Sequence, residues 1–334
     1  MSRSKAVVCS VRTAALALAV VAFSLGAAPV AQAQAYPARP VKFVAPIAPG
    51  GLTDILARLL GQRLSVRLGQ PVVVENRPGA GLIVGMEYTK NSAADGYTIV
   101  IASQGAMSVN ASIYKKLPYD TLRDFVPITQ VVNFPVVLVV GPNFPAHNVK
   151  EFTDLARAKP GSLTYGSAGN ATISHLGMEL FKRSTGTDVT HVPFKGESPA
   201  MNEVMGDRVS GLMATFSVAL PLIRSGKVRA LGVASTERSA VAPDLPTLSE
   251  SGLLQFNVTG WFGVLAPAGT PRPIVERLHR ELTAVLAEPE VRDRLLGMGV
   301  EPVGSASPEA FGGWIRAEAE RWKQIVEGAG IKAD

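Results

Sequence analysis

The sequence predicts an α/β protein of two lobes, each a mostly parallel sheet flanked by helices, joined by two hinge strands. Strand and helix patterns alternate along most of the chain, as they do where parallel strands are connected by crossover helices. Two extended runs, 128–140 and 257–266, flank the middle block and indicate two passages between lobes. The length of 334 residues also exceeds what one core usually holds.

The first 35 residues are predicted to be a signal peptide. Arg3, Lys5 and Arg12 precede an apolar stretch over 14–26, and overlapping small-x-small sites end at Ala33 and Ala35. This pattern is typical of secretory leaders, and the alternative, an uncleaved anchor, is disfavoured by the short apolar stretch and the cleavage sites. We therefore expect export and cleavage after one of these two alanines.

Composition excludes several classes of function. The single cysteine, Cys9, lies in the leader, so the mature chain would hold no thiol for disulfides, catalysis or metal binding. Removing the three leader bases lowers the net charge from +6 to +3, too little for a nucleic-acid footprint. The four histidines show no metal-ligand spacing. No metal or other cofactor is predicted.

The first alternating series predicts a βαβαβ unit. Its helix is marked by Leu56, Leu60 and Leu64 on one face. The elements are a strand at 41–47, a helix at 53–67, a strand at 72–75, a helix near 82–91 and a strand at 97–102.

The second series lies between the two extended runs. Its elements are helices at 149–159, 174–185, 198–205 and 218–225 and strands at 163–167, 191–194, 209–213 and 228–234; helices at 273–286 and 308–327 follow the second run. We assign residues 36–134 with 258–334 to lobe 1 and residues 135–257 to lobe 2. This arrangement favours hinge closure around a ligand. The alternative is two side-by-side domains without a hinge.

Two strand-to-helix junctions are candidate anion sites. Pro49-Gly50-Gly51-Leu52-Thr53-Asp54 follows the first strand, and Ser167-Ala168-Gly169-Asn170-Ala171-Thr172 takes the equivalent place in the second lobe. Glycines let the backbone approach a ligand, and helix N-termini favour negative charge. Simple helix capping by Thr53 or Asp54 is the alternative reading of the first junction.

Signals for an enzyme are weak. Gly79-x-Gly81 follows a strand, but Arg77 and Pro78 intervene and the third glycine is misplaced for dinucleotide binding. No serine lies in a Gly-x-Ser-x-Gly elbow, and Ser174 beside His175 is only adjacent in sequence. The sequence is not predicted to be an enzyme.

The motifs resemble the solute receptors of tripartite tricarboxylate transporters, called Bug receptors, in order from Tyr36 to the C-terminus. They are Pro49-Gly50-Gly51-x-x-Asp54, Ala57-Arg58, Gly69-Gln70-Pro71 through Gly81, Asp95-Gly96-Tyr97-Thr98, Leu117-Pro118-Tyr119-Asp120, Ala158-Lys159-Pro160-Gly161, Ser174-His175-Leu176, His191 through Gly196, Trp261-Phe262-Gly263 and Leu265 through Pro271. The resemblance implies a periplasmic binding protein of the type II kind, which closes on a small carboxylate solute and delivers it to membrane permease subunits.

The resemblance also implies which residues bind the ligand. By position they are Ile47, Gly50, Gly51, Asp54, Ser167, Gly169, Asn170, Ala171, Thr172, Ser174 and Ala214. The family usually has an aromatic residue at Ile47, glycine at Leu82 and an acid at Ala214. Because this sequence is less polar than the family pattern at these positions, the ligand is expected to be a carboxylate with an apolar or aromatic remainder. The missing acid argues against an amino group on that ligand. Repacking is the alternative explanation.

The sequence is compatible with three functions. The first is a transport receptor, expected as a monomer. The second is a sensor that presents its solute to a membrane kinase, and the third is an exported hydrolase using Ser174 or His175.

Overall fold

The computed structural model describes residues 36–170 and 172–329, so the predicted signal peptide lies outside the described residues. All helices and strands described below lie in one compact unit that begins at Arg39. Residues 36–38 belong to the preceding unit and form no helix or strand.

The first alternating series forms a parallel unit with strand order β2-β1-β3. Its elements are β1 Val41–Ala45, α1 Leu52–Leu68, β2 Val72–Asn76, α2 Ile83–Lys90, β3 Thr98–Ser103 and the short α3 Asn110–Ile113. The predicted apolar face of α1, Leu56, Leu60 and Leu64, is fully buried. The βαβαβ prediction is therefore confirmed, with β1 as the middle strand.

The second series forms a matching parallel unit with strand order β7-β5-β6. Its elements are α4 Val149–Ala158, β5 Thr164–Ser167, α5 Ile173–Thr185, β6 Thr190–Pro193, α6 Glu197–Met205, β7 Gly211–Thr215, α7 Phe216–Arg224 and β8 Arg229–Val233. Here β5 is the middle strand, in the place that β1 has in the first unit.

Two long strands, β4 (Phe125–Val140) and β9 (Thr259–Pro267), connect the units. β4 pairs antiparallel with β9 as far as Pro135, and from Val136 it pairs with β7 and β8 instead. The second passage between the units, at the start of β9, lies beside the first passage, in β4. Thr259 pairs with Pro135, and the residue before it, Val258, donates its amide to the Ala234 carbonyl. The two-lobed α/β prediction is confirmed, and β4 and β9 make both sheets mixed.

The lobe boundaries stay a proposal, residues 36–134 with 258–334 and residues 135–257. The change of strand partners at Pro135 supports it. Pro135 lacks a backbone N–H, and proline tends to occur where a strand leaves its ladder.

The last elements return to the first sheet. They are α8 Arg272–Ala287, α9 Pro289–Gly297, the short β10 Glu301–Pro302 and α10 Pro308–Ala329. Sequence patterns did not predict α9, which Glu288 alone separates from α8. Among the described residues, no helix combines the length and apolar character needed to cross a bilayer.

Candidate functional site

The first candidate loop joins β1 to α1, at the carboxyl end of the middle strand of the first unit. Gly50 is exposed and has a φ of 88°, in the left-handed region that favours glycine. Gly51 is the N-cap residue of α1, so the amides of the first helical turn lack intrahelical partners. A Cβ at Gly51 would lie 3.0 Å from Cδ1 of Ile47. The loop therefore presents backbone and very little side chain.

Asp54 holds this loop in shape. Its carboxylate accepts hydrogen bonds from the Gly50 amide (2.9 Å), from Asn76 Nδ2 (2.8 Å) and from Arg58 Nε (3.0 Å). Asn76 Nδ2 also donates to the Ile47 carbonyl, 3.1 Å away. The structure thus joins Ile47, Gly50 and Asp54 in one network through Asn76, a residue not predicted for the site.

Electrostatics keep Asp54 charged. Burial alone would raise the pKa of this carboxyl, but the hydrogen bonds from Arg58, Gly50 and Asn76 outweigh it and lower the pKa to about 2. Because its oxygens already accept these bonds, Asp54 acts by positioning the Gly50 amide. Direct contact of Asp54 with a ligand stays an untested prediction.

The second candidate loop joins β5 to α5, at the carboxyl end of the other middle strand. Thr172 Oγ1 donates to the Gly169 carbonyl at 2.7 Å, and Ser174 Oγ accepts from the Ala168 amide at 2.9 Å. Gly169 has a φ of 122°, again suited to glycine. Asn170 is exposed, and Ala171 lies outside the described residues. The N-cap residue Thr172 and the first-turn residue Ser174 of α5 thus hold the loop that leads into the helix.

A stacked aromatic cluster supports the second loop from behind. Ser167 Oγ and His191 Nε2 lie 2.6 Å apart, and the rings of His191 and His175 stack with centroids 4.0 Å apart. Tyr165 stacks on His191 and donates to Glu179. Burial, together with the charge of His191, lowers the pKa of His175 to about 4. The cluster therefore favours neutral rings at neutral pH.

The contacts of Ser167 and Ser174 in this cluster concern the alternative function, an exported hydrolase. The serine that bonds to a histidine ring is Ser167, whose partner is His191, whereas Ser174 bonds to Ala168 and Thr172. Ser167 is fully buried, and its hydroxyl also bonds to Gly169. A nucleophile must reach its substrate, so the Ser167–His191 geometry fits a support for the loop better than a catalytic pair.

Ala214 was expected after its strand, facing the ligand. The structure places it inside β7, paired with Val137, because β7 ends two residues later than predicted. Its methyl is fully buried in the apolar cluster with Val137 and Ala200. Burial argues against direct ligand contact by Ala214, and the polar group at the end of β7 is Thr215.

The described residues contain no group of three or more acidic, histidine or cysteine side chains arranged to hold a metal ion. What the structure offers is a pair of loops in matching places. Each follows the middle strand of a parallel unit and leads into a helix N-terminus, where ligands of open α/β sheets commonly bind.

Comparisons with known proteins give consistent results. The family model described as "Tripartite tricarboxylate transporter family receptor" matches residues 56–331. Protein BugT of Bordetella pertussis is 38% identical over 307 residues, covering 92% of this chain and 94% of BugT. The solved periplasmic binding protein BugD shares the fold, with 35% identity and a TM-score of 0.75 over 90% of this chain and 100% of that one.

Two of the similar solved structures hold carboxylates. R. palustris Rpa4515 with adipate is 35% identical, with a TM-score of 0.78 over 89% of this chain and 99% of that one. MatC from Rhodopseudomonas palustris with bound malate is 33% identical, with a TM-score of 0.73 over 87% of this chain and all (100%) of that one.

Proposed function

This chain belongs to the tripartite tricarboxylate transporter receptor family, and on that basis we propose that it is a periplasmic receptor that closes on a small carboxylate and delivers it to a permease of that transporter type. The permease partner and the periplasmic location are supported by family membership. Carboxylates in the similar structures, adipate and malate, support the solute class.

The observation that carries the proposal is the pair of loops ahead of α1 and α5. Each ends at a helix N-terminus, where unpaired amides and the helix dipole favour an anion. We expect the Gly50–Gly51 loop and the loop from Ser167 to Ser174 to bind one carboxylate from opposite lobes.

Both loops are organised in advance by groups that a ligand need not move. Asp54 fixes the first loop by accepting from the amide of Gly50, and Ser174 fixes the second by accepting from the amide of Ala168. The donors left for a ligand are the other amides at the two helix N-termini, and donors that are already held in place cost less entropy on binding. Closure of the lobes would then add the second set of amides, with the paired passages of β4 and β9 as the hinge.

The part of the solute beyond its carboxylate is not specified by the two loops. The sequence suggested an apolar or aromatic remainder from Ile47, Leu82 and Ala214. Burial of Ala214 in the core weakens that inference, and with it the argument against an amino group. We therefore propose a carboxylate without specifying its remainder.

Isothermal titration calorimetry on the mature chain tests the proposal. Adipate, malate and hexanoate are titrated separately, with glucose and hexylamine as probes that lack a carboxylate. We expect about one site per chain for at least one carboxylate, and weaker binding after Gly50→Ala, whose side chain is strained at this φ. Firm binding of glucose or hexylamine, with none of the carboxylates, would contradict the proposal.

A further inference from the structure

Glu197 is a partly buried carboxylate at the same edge of the second sheet as the candidate loop. It is the first residue of α6, directly after the turn that follows β6. Its carboxylate accepts hydrogen bonds from the Thr215 amide and from Thr215 Oγ1, the latter at 3.0 Å to Oε2. Thr215 is the last residue of β7 and the N-cap residue of α7.

The strand order places the hydrogen bond between Thr215 and Glu197 beside the second candidate loop. β5 lies between β6 and β7, so a contact from the end of β6 to the end of β7 must pass the carboxyl end of β5. That end carries Ser167 and leads into the second loop. Gly166, one residue earlier, packs closely against α6, because a Cβ added to it would lie 3.3 Å from the Ala200 methyl. Glu197 is therefore a neighbour of the loop in space, although 30 residues separate it from Ser167.

Within the part of the chain that the structure describes, Glu197 has unused acceptor capacity and no cationic partner. Thr215 supplies two donors, its amide and its hydroxyl, whereas a carboxylate has about four acceptor positions. None of the ion pairs among residues 36–170 and 172–329 includes Glu197. Burial raises the pKa of Glu197 to about 7, against the smaller opposing effect of the bonds from Thr215.

Other charged or titratable groups near Glu197 are few. α6 packs against β5, β7 and β4, and of these only β5 contributes such a group, Tyr165, which donates to Glu179. His191 on β6 bonds to Ser167. On the segment that carries Glu197, Lys195 is exposed to solvent and Glu203 forms an ion pair with Arg208.

We propose that Glu197 is a specificity-determining residue that selects solutes by the charge of the group placed beside it. The proposal rests on the proposed carboxylate site. A solute with an ammonium group there would pair with ionised Glu197. A second carboxylate there would bind only when Glu197 is protonated, because two like charges in a poorly hydrated site repel each other.

Three probes of similar length test this inference by calorimetry at pH 6 and pH 8. They are adipate, 6-aminohexanoate and hexanoate, whose own charges stay nearly constant over this range. With a pKa of about 7, Glu197 changes from mostly protonated to mostly ionised. We expect adipate affinity to fall by up to about tenfold from pH 6 to pH 8, 6-aminohexanoate affinity to rise, and hexanoate affinity to change less than either.

The variant Glu197→Gln should remove these opposite trends, whereas Glu203→Gln, on the same helix but away from the loop, should retain them. Equal pH dependence in Glu197→Gln and the unmodified chain would overturn the inference while leaving the carboxylate site intact. Failure of all three probes while malate binds would overturn the inference alone, and failure of malate as well would contradict the proposed function and the inference with it.

Discussion

The Gly50 amide donates a hydrogen bond of 2.9 Å to the carboxylate of Asp54, four residues later on α1. Asp54 is 3% exposed and receives further bonds from Asn76 and Arg58. One buried charge thus fixes both the loop and the start of the helix. The proposed anion site therefore has a buried carboxylate beside it, whose charge is paired with Arg58.

Replacing Asp54 by Asn should weaken both folding and binding. A side-chain amide has one acceptor oxygen, so its NH₂ group would face a donor, either Asn76 Nδ2 or the Gly50 amide. We expect the free energy of unfolding to fall by about 1 to 3 kcal/mol. Urea unfolding measures it, and Asp154→Asn, an exposed partner of Lys150 on α4, is the matched control.

The loss of folding stability at low pH is a second measure of the role of Asp54. Its folded pKa of about 2 lies below the unfolded value, so its contribution to stability is present above about pH 4 and is lost as the pH falls toward 2. The loss of stability over this interval should be smaller in Asp54→Asn. A variant that loses stability as steeply as the unmodified chain would show that another group dominates.

Replacing Ser174 by Ala should reduce affinity more than stability. Without its hydroxyl, the Ala168 amide loses its partner and the second loop loses an internal constraint. We expect about a tenfold weaker binding of the carboxylate identified by titration. Ser184→Ala, at the exposed end of the same helix, should bind normally; normal binding by Ser174→Ala as well would exclude this loop from the site.

Protonation of His175 should destabilise the fold. Burial and the neighbouring His191 lower its pKa to about 4, below the unfolded value near 6.5. Between these values the unfolded chain binds more protons, so stability should rise with pH by up to about 3 kcal/mol. Thermal unfolding from pH 4 to pH 6.5 measures this slope. His175→Gln should reduce it and His147→Gln, at an exposed site, should not.

Replacing Ala214 by Asp should damage the core rather than change ligand preference. The new carboxylate would be buried beside Val137 and Ala200, at a cost of several kcal/mol. We expect a loss of unfolding free energy above about 3 kcal/mol, against less than about 0.5 kcal/mol for Ala317→Asp on the exposed face of α10. A stable Ala214→Asp protein with altered solute preference would restore position 214 to the site.

Export should remove the leader after Ala33 or Ala35, because both positions end a small-x-small site behind the apolar stretch. N-terminal sequencing of exported protein would then begin at Gln34 or Tyr36. An N-terminus at Met1 would be evidence for the uncleaved anchor and against a freely diffusing receptor.

Much of the fold was predictable because its signals are local. Apolar residues three and four apart mark α1, and strand and helix patterns alternate in both series. The antiparallel passages of β4 and β9 were recognised as extended, but their pairing depends on residues more than a hundred positions apart. A single sequence carries no direct signal for such pairing.

The candidate site was predictable in its loops and less so in its supports. Glycines and hydroxyls before a helix are a sequence pattern, so both loops were identified. Asn76, His191 and Glu197 reach their partners across strands, and only the strand order brings them together. The end of β7 was predicted two residues too early, so Ala214, expected after the strand, lies inside it, and its contact with a ligand stays a prediction.

The place of β9 between β3 and β4 has a consequence for the order in which the chain folds. Until residue 267 is available, β3 and β4 each have an edge without its native neighbour, although both precede it by more than a hundred residues. The strands β5 to β8 have no such wait, since they pair only with one another and with β4. A chain that folds from its N-terminus therefore leaves two open strand edges, the usual starting point for aggregation, until its last third arrives.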